Sequence, residues 1–221
     1  MKHFTIFQNF YYVIAEMTEE EIVSAIASST YRKRVEEIRH IFAEQGEKAA
    51  NEKKKELPAI AFSACYRGRR TKENLVKYLG HIVIDIDHLS EEELARILPI
   101  IRGCRYTRIV FISPKGMGVK IVVRACHPDE TLPETLQEIA NFHHAVYTKL
   151  ASLYAQLCQI EIDTSGQDVW RVPVCSPTTR TFISIRMPRL SSWHNLLCPT
   201  RLQKIKVPPP PNNRIIRRTT R

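Results

Sequence analysis

The segment 81–88 constrains the fold of this chain more than any other stretch. It reads His-Ile-Val-Ile-Asp-Ile-Asp-His, and its four apolar residues are all β-branched, which favours a buried strand over a helix. Asp85 and Asp87 interrupt the run two residues apart. Side chains at this spacing lie on the same side of a strand, roughly 7 Å apart along the chain. The sequence therefore predicts a core strand with two carboxylates on one face near its carboxyl end.

Two carboxylates on one face of a buried strand need a partner. They repel each other, and burying them unpaired is costly. A divalent cation between them would remove both problems, because Mg²⁺ and similar ions prefer oxygen ligands. The alternative is that Asp87 starts a turn and Asp85 pairs with one of the many Arg or Lys side chains. From these two residues alone, both interpretations stay open.

The segments after this strand predict an α+β fold. Ser90 and Glu93 have the spacing of a capping box and predict the start of a helix. The order from residue 81 onward is β-α-β-β-α-β, which is typical of the split β-α-β layout of ferredoxin-like and RNA-recognition domains. Such domains carry an antiparallel sheet with helices on one face, and we expect the other face to be open for a site. The predicted elements after the first strand are a helix at 90–102, a strand at 105–112, a turn at 113–118, a strand at 119–124, a helix at 131–158 and strands at 168–174 and 181–185.

The residues before this core predict an accessory region. Alternation predicts a strand at 4–10, Thr18 is a good N-cap for a short helix, and Thr30 is expected to cap a longer one. The charged run 44–56 is interpreted as a solvated helix end and loop. A strand is predicted at 57–63, and a short helix at 73–78. The predicted division is an N-terminal strand and helical accessory region at 1–56, a core at 57–190 and a Pro-rich basic tail or linker at 191–221.

Charge and cysteine content bound the function. The formal net charge is +10, which indicates a polyanionic partner, most simply nucleic acid. Residues 201–221 contain seven basic residues and no acidic one, so the tail holds most of the excess. The six cysteines form no Cys-x-x-Cys pair, which predicts reduced thiols in the cytoplasm. The first 15 residues lack the features of a signal peptide, and no membrane span is expected.

Two further segments carry candidate binding residues. Segment 113–120 reads Ser-Pro-Lys-Gly-Met-Gly-Val-Lys; Gly116 and Gly118 allow close backbone approach to a ligand, and Lys115 and Lys120 bring positive charge. Its spacing is not that of a P-loop, so it predicts no ATPase. Segment 66–72 is a basic, Gly-containing loop. It could hold phosphates through charge-assisted hydrogen bonds or be plain surface.

The motifs together resemble a known family. They are Phe62-Ser, Gly68-Arg-Arg, Asp85-Ile-Asp-His, the segment 113–120 and the segment 163–171, Asp-x-Ser-Gly-x-Asp-x-x-Arg. This set resembles the amino-terminal domain that precedes virulence-associated protein E type helicase regions on bacterial mobile elements. That domain is similar to the catalytic core of the archaeo-eukaryotic primase superfamily, the primase-polymerases. The resemblance covers roughly residues 55–185. One departure is Lys120, where the wider superfamily usually has a histidine.

The resemblance implies a metal-dependent nucleotidyltransferase, similar to a DNA primase or polymerase, that acts in replication of a mobile genetic element. It implies Mg²⁺ or Mn²⁺ as cofactor, nucleoside triphosphates and a single-stranded DNA template as partners, and it leaves open a helicase domain or subunit. The implied catalytic and metal-binding residues are Asp85, Asp87 and Asp163. The implied nucleotide-binding residues are Ser113, Lys115, Gly116, Gly118, Lys120 and Arg171, and the implied nucleic-acid-binding residues are Arg67, Arg69 and Arg70.

Two alternatives to this enzyme remain open. The first is a non-catalytic module that kept the fold and binds single-stranded nucleic acid; Lys120 and the basic tail motivate it. The second is a metal-dependent nuclease, because the same carboxylates could activate water instead of a 3′-hydroxyl.

Overall fold

The computed structural model of this protein describes residues 3–28, 30–162 and 169. These residues form both helices and strands, and every paired strand is antiparallel to its neighbour. The strands are β1 His3–Gln8, β2 Tyr12–Thr18, β3 Ala59–Ala61, β4 Ala64–Tyr66, β5 Leu75–Tyr78, β6 His81–Ile86, β7 Ile109–Ile112 and β8 Val119–Arg124, and the helices are α1 Glu19–Ala27, α2 Arg32–Gln45, α3 Glu47–Lys54, α4 Glu91–Gly103 and α5 Leu136–Cys158.

The central sheet has the predicted split arrangement. Its strand order is β6-β8-β7, and β8 runs antiparallel to both neighbours. Strands β6 and β7 are therefore parallel and separated by β8, as the split β-α-β layout requires. Ile82, Ile84 and Ile86 lie on one face of β6 and pack in the same cluster as residues of α4 and α5. The predicted final strands begin beyond residue 162 and, apart from Val169, lie outside the described residues.

The opposite face of this sheet is partly covered, contrary to our expectation of an open face. Phe111 and Val122 on that face pack in one cluster with Phe4 of β1, Ile22 of α1 and Phe62. The N-terminal region therefore completes the core instead of standing apart from it. Covering these residues with apolar side chains stabilises the sheet, because each buried side chain of this size contributes about 1.5–3 kcal/mol.

Among the described residues, two of the three helices with a capping box, α1 and α4, begin at the predicted cap, whereas α5, predicted from residue 131, begins at Leu136 after the capping box of Thr135 and Glu138. Thr18 caps α1 and Ser90 caps α4, and in both helices the glutamate three residues later returns a hydrogen bond to the cap. The prediction for Thr30 was wrong: α2 has Tyr31 at its N-cap and no side-chain cap. Without that reciprocal hydrogen bond, the helix start follows packing rather than a local signal.

Three other local predictions differ from the structure. Strand β2 was not predicted; its residues are mostly exposed and give no apolar alternation. The segment 73–78 forms a 3₁₀ turn, Lys72–Asn74, and then strand β5, which pairs with β4. The run 44–56 contains helix α3, which buries Ala50. Strand pairing and helix packing are tertiary interactions, and they override weak local preference.

None of the helices within the described residues is long and apolar enough to cross a membrane. The predicted tail at 191–221 lies outside the described residues.

Candidate active site

A buried ion pair lies at the centre of the candidate site. Asp85 on β6 and Lys120 on β8 are cross-strand neighbours, on the face away from α4 and α5. The ammonium of Lys120 donates a hydrogen bond to Oδ2 of Asp85. The Lys120 side chain is 3% exposed and that of Asp85 17%. The structure therefore pairs Asp85 with a lysine, as one of the two interpretations of the sequence held. The prediction that Lys120 binds phosphate remains a prediction.

Three residues at the end of the strands meet beside this pair. Asp87 follows β6, Ser113 follows β7 and Gly118 precedes β8. A Cβ atom at Gly118 would lie 2.6 Å from the carbonyl oxygen of Ile86, 2.9 Å from Oδ1 of Asp87 and 3.2 Å from Oγ of Ser113. The missing side chain of Gly118 therefore lets Asp87 and Ser113 approach the same point at the sheet edge.

The turn that connects β7 and β8 is closed by its own backbone. The amide of Ser113 donates to the carbonyl of Gly118 at 2.8 Å, and the amide of Gly116 donates to the carbonyl of Ser113 at 2.9 Å. Gly116 has a φ of +86°, a conformation that residues with a Cβ rarely adopt. Gly116 is therefore required by the backbone conformation of the turn, whereas Gly118 is required because there is no space for a side chain.

Lys54 is a site residue that sequence reasoning missed. Burial at the end of α3 lowers its pKa; the charge of Lys120 lowers the pKa further, and Asp85 and Asp87 raise it. The side chain of Lys54 is therefore close enough to sense all three groups. Ala50, four residues earlier, is buried, and residues four apart share a helix face, so Lys54 lies on the inward face of α3. The run Lys53-Lys54-Lys55 did not reveal which lysine faces inward.

Helices α2 and α3 of the N-terminal region contact the β7–β8 turn. Nζ of Lys115 lies 2.5 Å from Oε1 of Glu47 on α3 and 5.8 Å from the ring centroid of Phe42. The hydrogen bond from Lys115 lowers the pKa of Glu47. Nε of Arg39 on α2 donates to the carbonyl of Pro114 at 3.2 Å. Lys115 thus has a carboxylate partner, and its predicted role in nucleotide binding is not tested by this contact.

A cavity of about 790 Å³ lies next to this turn. Arg39 and Lys115 bring positive charge to its wall, Leu94 and Met117 bring apolar surface, and Ser90 brings the start of α4. Small-molecule sites commonly have volumes of about 300–1,000 Å³. The cavity is therefore large enough for a nucleotide.

The other predicted residues fall into two sets. Asp163 and Arg171 lie outside the described residues. Arg67, Arg69 and Arg70 follow β4, in a loop that contacts the turn between β1 and β2. No group of three potential metal ligands occurs within residues 3–28, 30–162 and 169.

The residues present fit a cation that prefers oxygen ligands. Oδ1 of Asp85 and Oγ of Ser113 are buried, and neither has a hydrogen-bond partner in the described part of the chain. Oδ1 of Asp87 lies beside the space at Gly118. Carboxylate and hydroxyl oxygens suit Mg²⁺ or Mn²⁺, whereas the positive charges of Lys120 and Lys54 oppose cation binding and offset the two carboxylates.

Replacing Gly118 with alanine should destabilise the protein by about 2 kcal/mol, because the new Cβ meets a backbone carbonyl that cannot move freely. Urea unfolding followed by circular dichroism would measure the change. Gly103 is the matched control: nothing lies within 4 Å of a Cβ at that position, and it ends a helix. Gly103→Ala should change the free energy of unfolding by less than about 1 kcal/mol. Equal effects of the two substitutions would contradict the close approach at Gly118.

One comparison with known proteins gave a match. The family model described as "BT4734-like, N-terminal domain" matches residues 52–177. No curated protein and no solved structure matches the chain. The matched region includes Lys54, Asp85, Asp87 and the whole β7–β8 hairpin.

Proposed function

We propose that this chain, which belongs to the family of BT4734-like N-terminal domains, is a metal-dependent nucleotidyltransferase of the primase-polymerase type. The proposal includes a relation to the domain that precedes virulence-associated protein E type helicases. It also includes replication of a mobile genetic element in the cytoplasm, with nucleoside triphosphates and single-stranded DNA as ligands and a helicase domain or subunit as partner.

The observation that carries the proposal is the group of oxygen atoms at one edge of the central sheet. Asp85, Asp87 and Ser113 come from the ends of two strands and lie on one face. Two of these oxygens are buried without a hydrogen-bond partner among the described residues. Burying polar atoms without hydrogen-bond partners costs free energy. A bound cation would supply the partner that these two oxygen atoms lack.

The charges around these oxygens support a phosphate-bearing ligand. Lys120 and Lys54 lie near the two aspartates; Lys115 and Arg39 line the cavity at the β7–β8 turn, which is lined by α4 and not by the aspartates. A bound divalent cation would stabilise negative charge on phosphoryl oxygens. The aspartates would hold that cation, Lys120 would orient Asp85 through its hydrogen bond, and the remaining cationic side chains would bind the triphosphate. Asp163 is proposed as the third carboxylate.

The second candidate function is a module that binds single-stranded nucleic acid without catalysis. The buried contact between Lys120 and Asp85 favours it. An ammonium already neutralises this carboxylate, so the site is stable without a metal ion. In this alternative, binding would be sensitive to salt and independent of Asp87.

Nucleotide incorporation by the full chain tests the proposal. Labelled single-stranded DNA, with and without a primer, is incubated with nucleoside triphosphates and Mg²⁺ or Mn²⁺. We expect Asp87→Asn to lower incorporation at least about tenfold, because electrostatic groups at a reacting centre commonly contribute that much or more. Glu92→Gln is the matched control, since Glu92 is an exposed carboxylate in the first turn of α4, and it should leave incorporation unchanged.

The outcomes separate the candidate functions. Incorporation that is equal in wild type and Asp87→Asn contradicts the metal-dependent mechanism. DNA binding without incorporation under any of these conditions supports the non-catalytic module. Release of nucleotides from labelled DNA, with no nucleotide added, supports the nuclease.

A further inference from the structure

The turn between β1 and β2 has an unusual backbone. Asn9 and Phe10 both have positive φ, 51° and 65°. For a bulky residue such as Phe10 this conformation is rare and persists only where packing enforces it. The Phe10 side chain packs against two apolar clusters, one with Phe7 and Tyr66 and one with Ile38 of α2. Turning Phe10 inward leaves the next two residues outside the core.

Those two residues are exposed tyrosines. Tyr11 is 61% exposed and Tyr12 52%. Large aromatic side chains are among the residues that proteins usually bury at least in part, so two neighbouring exposed rings at a turn indicate a binding surface. Ile14, on the same strand, is also exposed.

Arginines from a second loop lie over both rings. The guanidinium carbon of Arg69 is 5.2 Å from the ring centroid of Tyr12, and that of Arg70 is 5.8 Å from the ring centroid of Tyr11. Both distances are within the range of cation–π interactions. The backbone joins the two loops as well: the amide of Val13 donates to the carbonyl of Gly68 at 2.9 Å, and the amide of Arg70 donates to that of Tyr11 at 3.1 Å. The tyrosines and arginines therefore form one surface, which we call the Tyr–Arg platform: Tyr11, Tyr12, Arg69 and Arg70.

The chemistry of this platform matches single-stranded nucleic acid. Exposed rings offer stacking surfaces to bases of any sequence, and adjacent cationic groups follow the phosphate backbone. A guanidinium above a ring keeps N–H donors for phosphate oxygens. The loop that supplies the arginines also contains Arg67 and Lys72, and residues 66–72 include no acidic side chain. In a duplex the bases are stacked on one another, so a duplex would contact the arginines through its phosphates but would not stack on the tyrosine rings.

We propose that the Tyr–Arg platform binds a single strand of nucleic acid, with bases stacked on Tyr11 and Tyr12 and phosphates held by Arg69 and Arg70. As a template site this rests on the proposed function, but binding itself requires no catalysis. Phe10 links the platform to the site, because it packs against the cluster formed by α2 and α3. These helices carry Glu47 and Lys54, which lie beside the β7–β8 turn and the aspartates.

Fluorescence anisotropy with a labelled oligo(dT) strand tests the platform in the full chain. We expect Tyr11→Ala/Tyr12→Ala to weaken binding about tenfold or more, because each stacked base is lost with its ring. Tyr11→Phe/Tyr12→Phe keeps the rings and should bind like wild type. Arg69→Gln/Arg70→Gln should reduce the slope of log affinity against log salt by about 1.4, the value for two lost phosphate contacts on a single strand.

Arg105→Ala is the matched control, since Arg105 also lies over a tyrosine, Tyr106, at 4.8 Å, but in the loop between α4 and β7. It should change affinity less than twofold. Circular dichroism would show that each variant is folded.

Unchanged binding by the double alanine variant overturns the proposal. An equal loss of affinity for a labelled duplex in that variant, or absence of binding by wild type at low salt, overturns it as well. Tighter capture of an acidic peptide than of the oligonucleotide would assign the surface to a protein partner and also overturn it. Asp87→Asn separates this proposal from the enzymatic one, because it should leave strand binding intact whether or not the chain incorporates nucleotides.

Discussion

Replacing Asp85 with alanine should destabilise the protein by about 3–5 kcal/mol, as expected when one partner of a buried ion pair is removed. The Lys120 side chain would keep its burial, at 3% exposure, and lose the carboxylate that its ammonium contacts. Val122 and Phe111 on the same face are buried and apolar, which leaves Asp87, beyond the end of β6, to compensate the charge. Urea unfolding at neutral pH would measure the loss.

A double substitution distinguishes an uncompensated charge from a general packing defect. Asp85→Leu/Lys120→Met removes both charges and keeps a similar apolar volume. We expect this double variant to be about as stable as wild type or more stable, because such replacements of buried ion pairs are often neutral or stabilising. Lys120→Met alone should be destabilising. If the double variant is as unstable as the sum of the two single variants, the coupling between Asp85 and Lys120 is absent. The result also determines which aspartate can report on function: Asp87→Asn leaves the ion pair in place, whereas Asp85→Ala confounds loss of activity with loss of fold.

Acidification from pH 6.5 towards pH 4 should lower the free energy of unfolding by up to about 3 kcal/mol through His143. Burial lowers the pKa of this imidazole to about 4 from 6.5. Between these values the unfolded chain binds a proton that the folded chain does not, so stability is complete above pH 6.5 and falls as the pH approaches 4. In the folded state Nδ1 of His143 lies 3.0 Å from the hydroxyl of Tyr78, and burial raises the pKa of that tyrosine, so the phenol stays neutral throughout.

The adjacent histidine supplies the control. His144 is exposed on the same helix; because burial is the larger cause of the lowered pKa of His143 and the charge of His144 the smaller one, His144→Gln should retain most of the pH dependence of wild type. His143→Gln keeps an acceptor for Tyr78 and should flatten the dependence between pH 6.5 and 4.5, a range above the pKa of ordinary carboxylates. Unfolding by urea at several pH values provides the measurement. A slope that is the same in wild type and His143→Gln would contradict the neutral buried state of this imidazole.

The sequence predicted those parts of the fold that are encoded by neighbouring residues. The β-branched run gave strand β6, the Ser90 and Glu93 spacing gave the start of α4, and the glycines at 116 and 118 gave the β7–β8 turn. Each depends on interactions a few residues apart, so local pattern is sufficient. Strand β5 was predicted as a helix because its partner β4 is not visible in its own sequence.

The candidate site was predicted less completely than the fold. Asp87, Ser113 and Gly118 were named and do meet. Lys54 was missed, because its approach to Lys120 and the aspartates depends on how α3 packs in the folded chain. The tyrosines at 11 and 12 were missed for a similar reason: their arginine partners are nearly 60 residues away in the chain.

The sequence by itself determined that a core strand carries Asp85 near its carboxyl end and is followed directly by Asp87, because the β-branched run and strand geometry are local features. Only the tertiary structure decided what those carboxylates face. Pairing of β6 with β8 brings Lys120 to Asp85, and packing of the N-terminal region buries that pair and brings Lys54 and Glu47 to the sheet edge. Contacts between residues far apart in the chain depend on how the whole chain buries its apolar surface, which local pattern does not specify.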